Sequence, residues 1–229
     1  MSKTLLETIN LRKTYEHVNG NINLFNNLNI KIKQGDLVAL VGPSGSGKSS
    51  LLHLLALLDE PTKGDIKINN ILTKKFADQE KDEVRRKNIS IIFQDNNLLN
   101  DFTAIENVMM PSIIRGENTE NAKNKAKKIL KKIKILDRAQ HFPKELSGGE
   151  QQRVAIARAI IAETNIILAD EPTGNLDFKT SKEIFSYVLN LKKLKKTIIV
   201  ATHNREFANR HDYKLFISNS EVKRVNARQ

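Results

Sequence analysis

The run Gly42-Pro43-Ser44-Gly45-Ser46-Gly47-Lys48-Ser49 constrains this chain more than any other feature, because of what stands on either side of it. Asp36-Leu37-Val38-Ala39-Leu40-Val41 before it is patterned as a buried strand, and the Leu-rich stretch from Ser50 to Leu58 after it as a helix. Strand, glycine turn and helix in that order make a phosphate cradle. The glycines let backbone N–H groups point inward, and the helix N-terminus adds partial positive charge. Lys48 is spaced to reach the β- and γ-phosphates, and Ser49 to offer its hydroxyl to Mg²⁺. A glycine turn that merely precedes a helix would leave those fixed positions unexplained. The run therefore predicts a bound nucleoside triphosphate, held by residues Gly42 to Ser49 and the adjoining Ser50.

Leu146-Ser147-Gly148-Gly149-Glu150-Gln151-Gln152-Arg153 opens another helix about 100 residues downstream. Ser147 with Glu150 three residues on is also a capping box, which ordinary helices use to satisfy their first N–H groups. Capping accounts for neither glycine. Gly148 and Gly149 at a helix start let a phosphate approach bare backbone, so a second anion site is expected with Ser147.

The octet matches the signature sequence of the ATP-binding cassette (ABC) ATPases, and other segments resemble that family in its order. Ile166-Ile167-Leu168-Ala169-Asp170-Glu171 resembles the Walker B strand, Gly174-Asn175-Leu176-Asp177 the D-loop, Gln94 the Q-loop glutamine and His203 the switch histidine. Tyr15 takes the place where the family stacks an aromatic on adenine. The resemblance implies ATP and Mg²⁺ as ligands, the metal held by Ser49, Gln94 and Asp170. It gives Glu171 the orienting of the attacking water, with His203, Gln94 and Lys48 assisting, and brings Asp177 to the nucleotide. Singly, a Gln or His at a strand end is an ordinary surface residue, and a Tyr in an early hairpin is commonly packing.

An α/β fold is expected: a P-loop NTPase of the ABC ATPase type, with an N-terminal antiparallel β-lobe, a RecA-like core and a helical subdomain. Strands near 37–41, 89–93, 166–170 and 198–202 alternate with helices, which indicates parallel pairing with helices on both faces. Leu5, Leu24, Leu28, Ile30 and Ile32, set among polar neighbours, suggest the antiparallel lobe. Ala126, Ile129, Leu130 and Ile133 recur at helical spacing within the insertion. One domain over 1–229 is expected, the helical subdomain covering approximately 96–160.

Lys and Arg number 38 against 26 Asp and Glu, giving +12 and a pI near 9.8, which raises nucleic acid or an anionic membrane as partners. The lysines between Lys123 and Lys134 line the polar side of a helix with no interleaved aromatics, so solvated faces are the expectation and specific nucleic-acid binding is not. Cysteine is absent, which removes disulfides and thiolate ligands. Met1-Ser2-Lys3-Thr4-Leu5-Leu6-Glu7 carries no secretory pattern, and no apolar run approaches the ~20 residues that span a bilayer. The expected place is the cytoplasmic face of the inner membrane, reached peripherally.

Asn97-Leu98-Leu99-Asn100-Asp101-Phe102-Thr103-Ala104-Ile105-Glu106-Asn107-Val108-Met109-Met110-Pro111 is similar to the same segment in lipoprotein-releasing and macrolide-type exporter ATPases. Leu58-Asp59-Glu60-Pro61-Thr62-Lys63-Gly64-Asp65 resembles the lipoprotein-releasing subunit. Macrolide-efflux and cell-division ATPases differ from it by few residues, and a chromosome-maintenance ATPase would need a long heptad insertion that is missing here. Leu98, Leu99, Phe102, Ile105, Val108, Met109, Met110 and Ile113 either fill a core or line a groove for a partner helix. The resemblance implies an ATPase subunit that forms an ATP-dependent head-to-tail homodimer and docks integral-membrane permease subunits through that groove.

Overall fold

Two sheets divide the polypeptide, and the computed structural model describes residues 3–16, 18, 20–174 and 176–226. Met1 and Ser2 of the N-terminal stretch and Asn175 of the expected D-loop lie outside the described residues. In chain order the elements are β1 (Thr4–Tyr15), β2 (Ile22–Leu28), β3 (Lys31–Lys33), β4 (Leu37–Val41), α1 (Lys48–Leu55), β5 (Lys63–Ile68), β6 (Ile71–Leu72), α2 (Asp78–Asn88) and β7 (Ile89–Ile92). There follow α3 (Ala104–Ile114), α4 (Thr119–Lys132), α5 (Gly148–Ile161), β8 (Ile166–Asp170), α6 (Phe178–Lys193), β9 (Thr197–Ala201), α7 (Arg205–Ala208), β10 (Tyr213–Ser218) and β11 (Glu221–Asn226).

The first sheet is antiparallel, in the order β2-β1-β5-β6 with β3 also on β1. Leu5, Leu6, Leu11, Phe25, Ile32, Ile66 and Ile68 turn inward from it onto α1 and one face of the second sheet. Asn69 and Asn70, both at positive φ, make the two-residue turn between β5 and β6, a turn whose handedness suits asparagine.

The second sheet runs β11-β10-β4-β9-β8-β7, with every pairing from β10 to β7 parallel. Every residue of β8 and β9 is buried, as helices on both faces require of a parallel sheet. β9 enters between β4 and β8, so the chain leaves the sheet's carboxyl edge at four adjacent points: the glycine loop after β4, His203 after β9, Glu171 after β8 and Gln94 after β7. Register aligns these exits, since Leu40 and Asp170 both pair with Ala201 and Ile92 pairs with Ala169. A ligand is expected at the carboxyl ends of such strands.

The helices α3, α4 and α5 build a separate apolar cluster from Ile105, Val108, Met109, Ala122, Ala126, Leu130, Val154 and Ala157. Met109 is 8 % exposed and belongs to that cluster, so of the two roles open to it in the sequence it takes core packing. Buried Asn107 fixes the preceding loop: its side-chain N–H groups donate to the carbonyls of Leu99, Phe102 and Thr103, and its Oδ1 accepts from the Leu99 N–H.

Candidate active site

α1 begins at Lys48, two residues before the sequence pattern places it. Gly45 and Gly47 hold φ of 75° and 93°, a region open to glycine without strain, and this lets the loop turn straight into the helix. Lys48 is buried, and its ammonium donates to the carbonyls of Gly42 (3.2 Å) and Pro43 (3.0 Å), so it lies folded along the inside of its own loop. The Ser46 hydroxyl is buried with no hydrogen-bond partner.

At the tip of β8, Asp170 is buried and its Oδ1 has no partner in the protein. Among the described residues no cluster of three or more His, Cys, Asp or Glu forms a metal cage. A buried carboxylate oxygen without a protein partner fits Mg²⁺, which keeps much of its water and takes one or two carboxylates together with substrate phosphates. Ser49 and Gln94 are the other candidate ligands.

Glu171 follows in the left-handed region, with φ of 41°. Its N–H donates to the Ala201 carbonyl at 3.0 Å, and its side chain is 14 % exposed. Burial pushes the carboxyl above the usual range; the His203 N–H and the charges of His203 and Lys48 oppose that, and Asp170 adds to it. Gln94 leaves the end of β7 nearby. A Cβ on Gly174 would come within 3.6 Å of Gln94 Nε2, and Gln94, Asn96, Gln152, Glu171 and Gly174 line one hollow of about 230 Å³. Asn96 and Asn97 sit at positive φ, and the Arg158 guanidinium donates to both their carbonyls at 2.7 Å, which holds the segment after Gln94 against α5.

The capping box at Ser147 is present: the Ser147 N–H donates to Glu150 Oε2 at 2.8 Å and the Glu150 N–H to Ser147 Oγ at 3.4 Å. Gly149 has a packing reason that the sequence does not reveal, because a Cβ there would sit 2.6 Å from Thr180 Cγ2 of α6. Ser147, Gly148, Gly149 and Asp177 line a hollow of about 410 Å³ that includes no residue of the 42–49 loop. Asp177 caps α6, accepting from the N–H groups of Lys179 (3.0 Å) and Thr180 (3.1 Å). Hydrogen bonds from Thr180 lead in holding its carboxyl below the usual range. Tyr15 ends β1 and is 39 % exposed. Lys13 and Asp59, which contact it, carry no signal in the sequence because they stand 46 residues apart.

A groove of about 580 Å³ lies between α2, β7, α3 and the end of α5. Ile91, Phe93, Leu99, Met110, Pro111 and Ile114 supply its apolar wall, and Asp82, Arg85, Arg86, Arg115 and Arg158 its charge. No helix among the described residues is long and apolar enough to cross a membrane.

A family model described as "ABC transporter" matches residues 25–174. The chain is 47 % identical over 218 residues to the lipoprotein-releasing system ATP-binding protein LolD of Rickettsia bellii, covering 94 % of this chain and 96 % of that one. It is 41 % identical to the LolD protein of Nitrobacter winogradskyi, over 93 % of this chain and 92 % of the relative. Among solved structures it is similar to the ATP-binding cassette MJ0796, whose dimer is described in a post-hydrolysis state bound to ADP and Pi. That likeness has a TM-score of 0.92 at 38 % identity, over 98 % of this chain and all of the other.

Proposed function

The chain belongs to the ABC transporter family, and from that premise we propose that it is the ATP-hydrolysing subunit of a lipoprotein-releasing exporter, docked to permease subunits at the cytoplasmic face of the inner membrane. One observation carries the hydrolytic part: Glu171, largely shielded at a strand tip beside Asp170, accepts the His203 N–H at Oε2 and has the His203 ring nitrogen 3.3 Å from Oε1. The lipoprotein part rests on relatives of that name, at 39–47 % identity over almost the full chain.

Phosphoryl transfer gives a protein little covalent work, so its contribution is position and charge. The N–H groups of the 42–49 loop and the Lys48 ammonium grip the β- and γ-phosphates, and Tyr15 offers its ring to the adenine. Glu171 accepts a hydrogen bond from the attacking water and aligns it, with His203 fixing the carboxylate. Gln94, across the 230 Å³ hollow from Glu171, senses the segment that Arg158 holds. Mg²⁺, when held by Ser49, Asp170 and Gln94, offsets negative charge on the phosphate oxygens.

Two copies pair head to tail, so that Ser147, Gly148 and Gly149 of one face the nucleotide on Lys48 of the other. The lining of the signature hollow, which includes no residue of the 42–49 loop of the same chain, supports this. The apolar groove takes a helix of the permease, and the exposed lysines Lys127, Lys128, Lys131 and Lys132 form a solvated face rather than a nucleic-acid site.

Reconstitution with its permease in vesicles carrying a lipidated protein tests the assignment. ATP-dependent transfer of that protein to a soluble acceptor is expected, and none with Glu171→Gln. ATP hydrolysis that responds to macrolides and never to lipoprotein would overturn the cargo.

A further inference from the structure

Lys13 is a charged residue with 8 % exposure, and nothing in the hydrolytic scheme uses it. Its ammonium donates to Asp59 Oδ1 at 2.7 Å and to the Glu60 carbonyl at 2.8 Å, and it lies over one face of the Tyr15 ring, 4.5 Å from the centroid. The Tyr15 hydroxyl donates to the other oxygen, Asp59 Oδ2, at 2.7 Å. Asp59 is itself fixed, since the Glu60 N–H donates to its Oδ1 at 2.7 Å. Beyond it, Thr62 donates its N–H to the Arg12 carbonyl at 2.8 Å and accepts from the Thr14 N–H at 3.0 Å.

A half-exposed tyrosine at the end of a strand has two side-chain torsions that the backbone leaves free. Here one carboxylate and one ammonium remove both. A part-buried Lys–Asp pair contributes little net stability once desolvation is counted, so the pair's worth lies in the geometry it imposes. The cluster also has a fixed relation to the phosphate loop. α1 starts at Lys48, and its end is closed by N–H donation from Ala56 to Leu52, Leu57 to Leu54 and Leu58 to His53, which delivers Asp59 from the same rigid helix that carries Lys48.

We propose that Lys13 and Asp59 are positioning residues for the nucleobase: they lock the Tyr15 ring with one face closed by the ammonium and the other open, at a set offset from the Lys48 loop. The inference rests on the assignment of Tyr15 as the adenine-stacking residue. Stacking uses the face of a base and not its edge, so the platform serves purines in general while the loop holds the triphosphate.

The test compares a ligand that has a base with one that lacks it, using the full chain. Asp59→Ala and Lys13→Met should each raise KM for ATP about fivefold or more, with kcat within about twofold, the pattern of lost uniform binding. The inhibition constant of inorganic tripolyphosphate, which engages only the phosphate loop, should stay at the parent value. Equal rises for both ligands would overturn the proposal, because Asp59 would then be supporting the phosphate loop. Tyr15→Ala separates the two layers. Unchanged KM in that variant removes the stacking assignment itself. A raised KM there, with parent values in Asp59→Ala and Lys13→Met, leaves stacking and overturns positioning. If Asp59→Ala loses its melting transition, Tyr15→Phe decides, since it deletes only the hydroxyl that Asp59 accepts from: a raised KM for ATP alone supports the proposal, and a parent KM overturns it.

Discussion

His203 Nε2 lies 3.3 Å from Glu171 Oε1, while the N–H of the same histidine donates to Glu171 Oε2 at 3.2 Å. One residue after β9 thus brackets both oxygens of the carboxylate at the tip of β8. Glu171 also holds a left-handed backbone, a conformation that costs a non-glycine residue on the order of 1 kcal/mol and concentrates at functional sites. Burial and backbone strain meet on one side chain.

Glu171→Gln keeps the shape and removes the charge proposed to align water, so kcat should fall about 100-fold or more while ATP still binds. Stability should move the other way. Burial raises the Glu171 carboxyl in the folded chain, so its contribution to stability is fully present below the unfolded value and is lost as pH rises through the folded one. At neutral pH the Gln variant should therefore melt above the parent, with the gap closing toward about pH 4. Melting curves across that range check it; a variant that melts below the parent at neutral pH contradicts the burial argument.

Lys48→Ala and Ser147→Arg should fail differently. The first weakens nucleotide binding by a single copy. The second should leave that binding near the parent value and stop hydrolysis, because in the proposed head-to-tail pair Ser147 serves the neighbouring nucleotide. Mixing the two yields one composite site with both lesions and one with neither, so ATPase activity should partly return. Loss of nucleotide binding to the same degree in both single variants would sink the head-to-tail arrangement.

What the sequence disclosed, and what it did not, follows from how local each signal is. β4 and β8 are apolar runs that end in chemistry-bearing residues, so both the strand and its Lys48, Asp170 or Glu171 can be read from a short window. α2 gave no such signal: Asp78–Asn88 has no buried residue, and its exposed face is laced by Arg85–Asp82, Arg86–Glu83 and Lys87–Glu83 pairs. The Lys13–Asp59 pair depends on the turn after α1 meeting the end of β1, which only the fold brings about. Gly149 was legible as a glycine at a helix start, but its clash with Thr180 belongs to the packing of α5 on α6.

Gly149→Ala tests that packing against phosphate access. A methyl group 2.6 Å from Thr180 Cγ2 should cost about 1 kcal/mol or more of stability by overpacking. Thr180→Ser removes the opposing methyl and should restore the melting temperature of the double variant. If phosphate must approach bare backbone at 149, hydrolysis stays impaired after stability returns. Full recovery of both would make Gly149 a packing residue alone.

Met109 and Ile114 lie five residues apart on α3 and should respond oppositely to the same change. Met109 is 8 % exposed among Ile105, Val108 and Ala126, so Met109→Asp buries an unpaired charge and should cost about 2 kcal/mol or more, read as a lowered melting temperature. Ile114 is 60 % exposed and lines the 580 Å³ groove, so Ile114→Asp should leave folding and basal ATPase at parent values. What it should lose is the permease: a carboxylate placed in the apolar wall opposes a docked helix, and co-purification with the membrane subunits should drop. Leu99→Asp, on the same wall, should behave alike. If both variants fold, retain basal activity and still co-purify with a permease that stimulates them, the groove is not the docking surface and the permease contact must be sought elsewhere on the molecule.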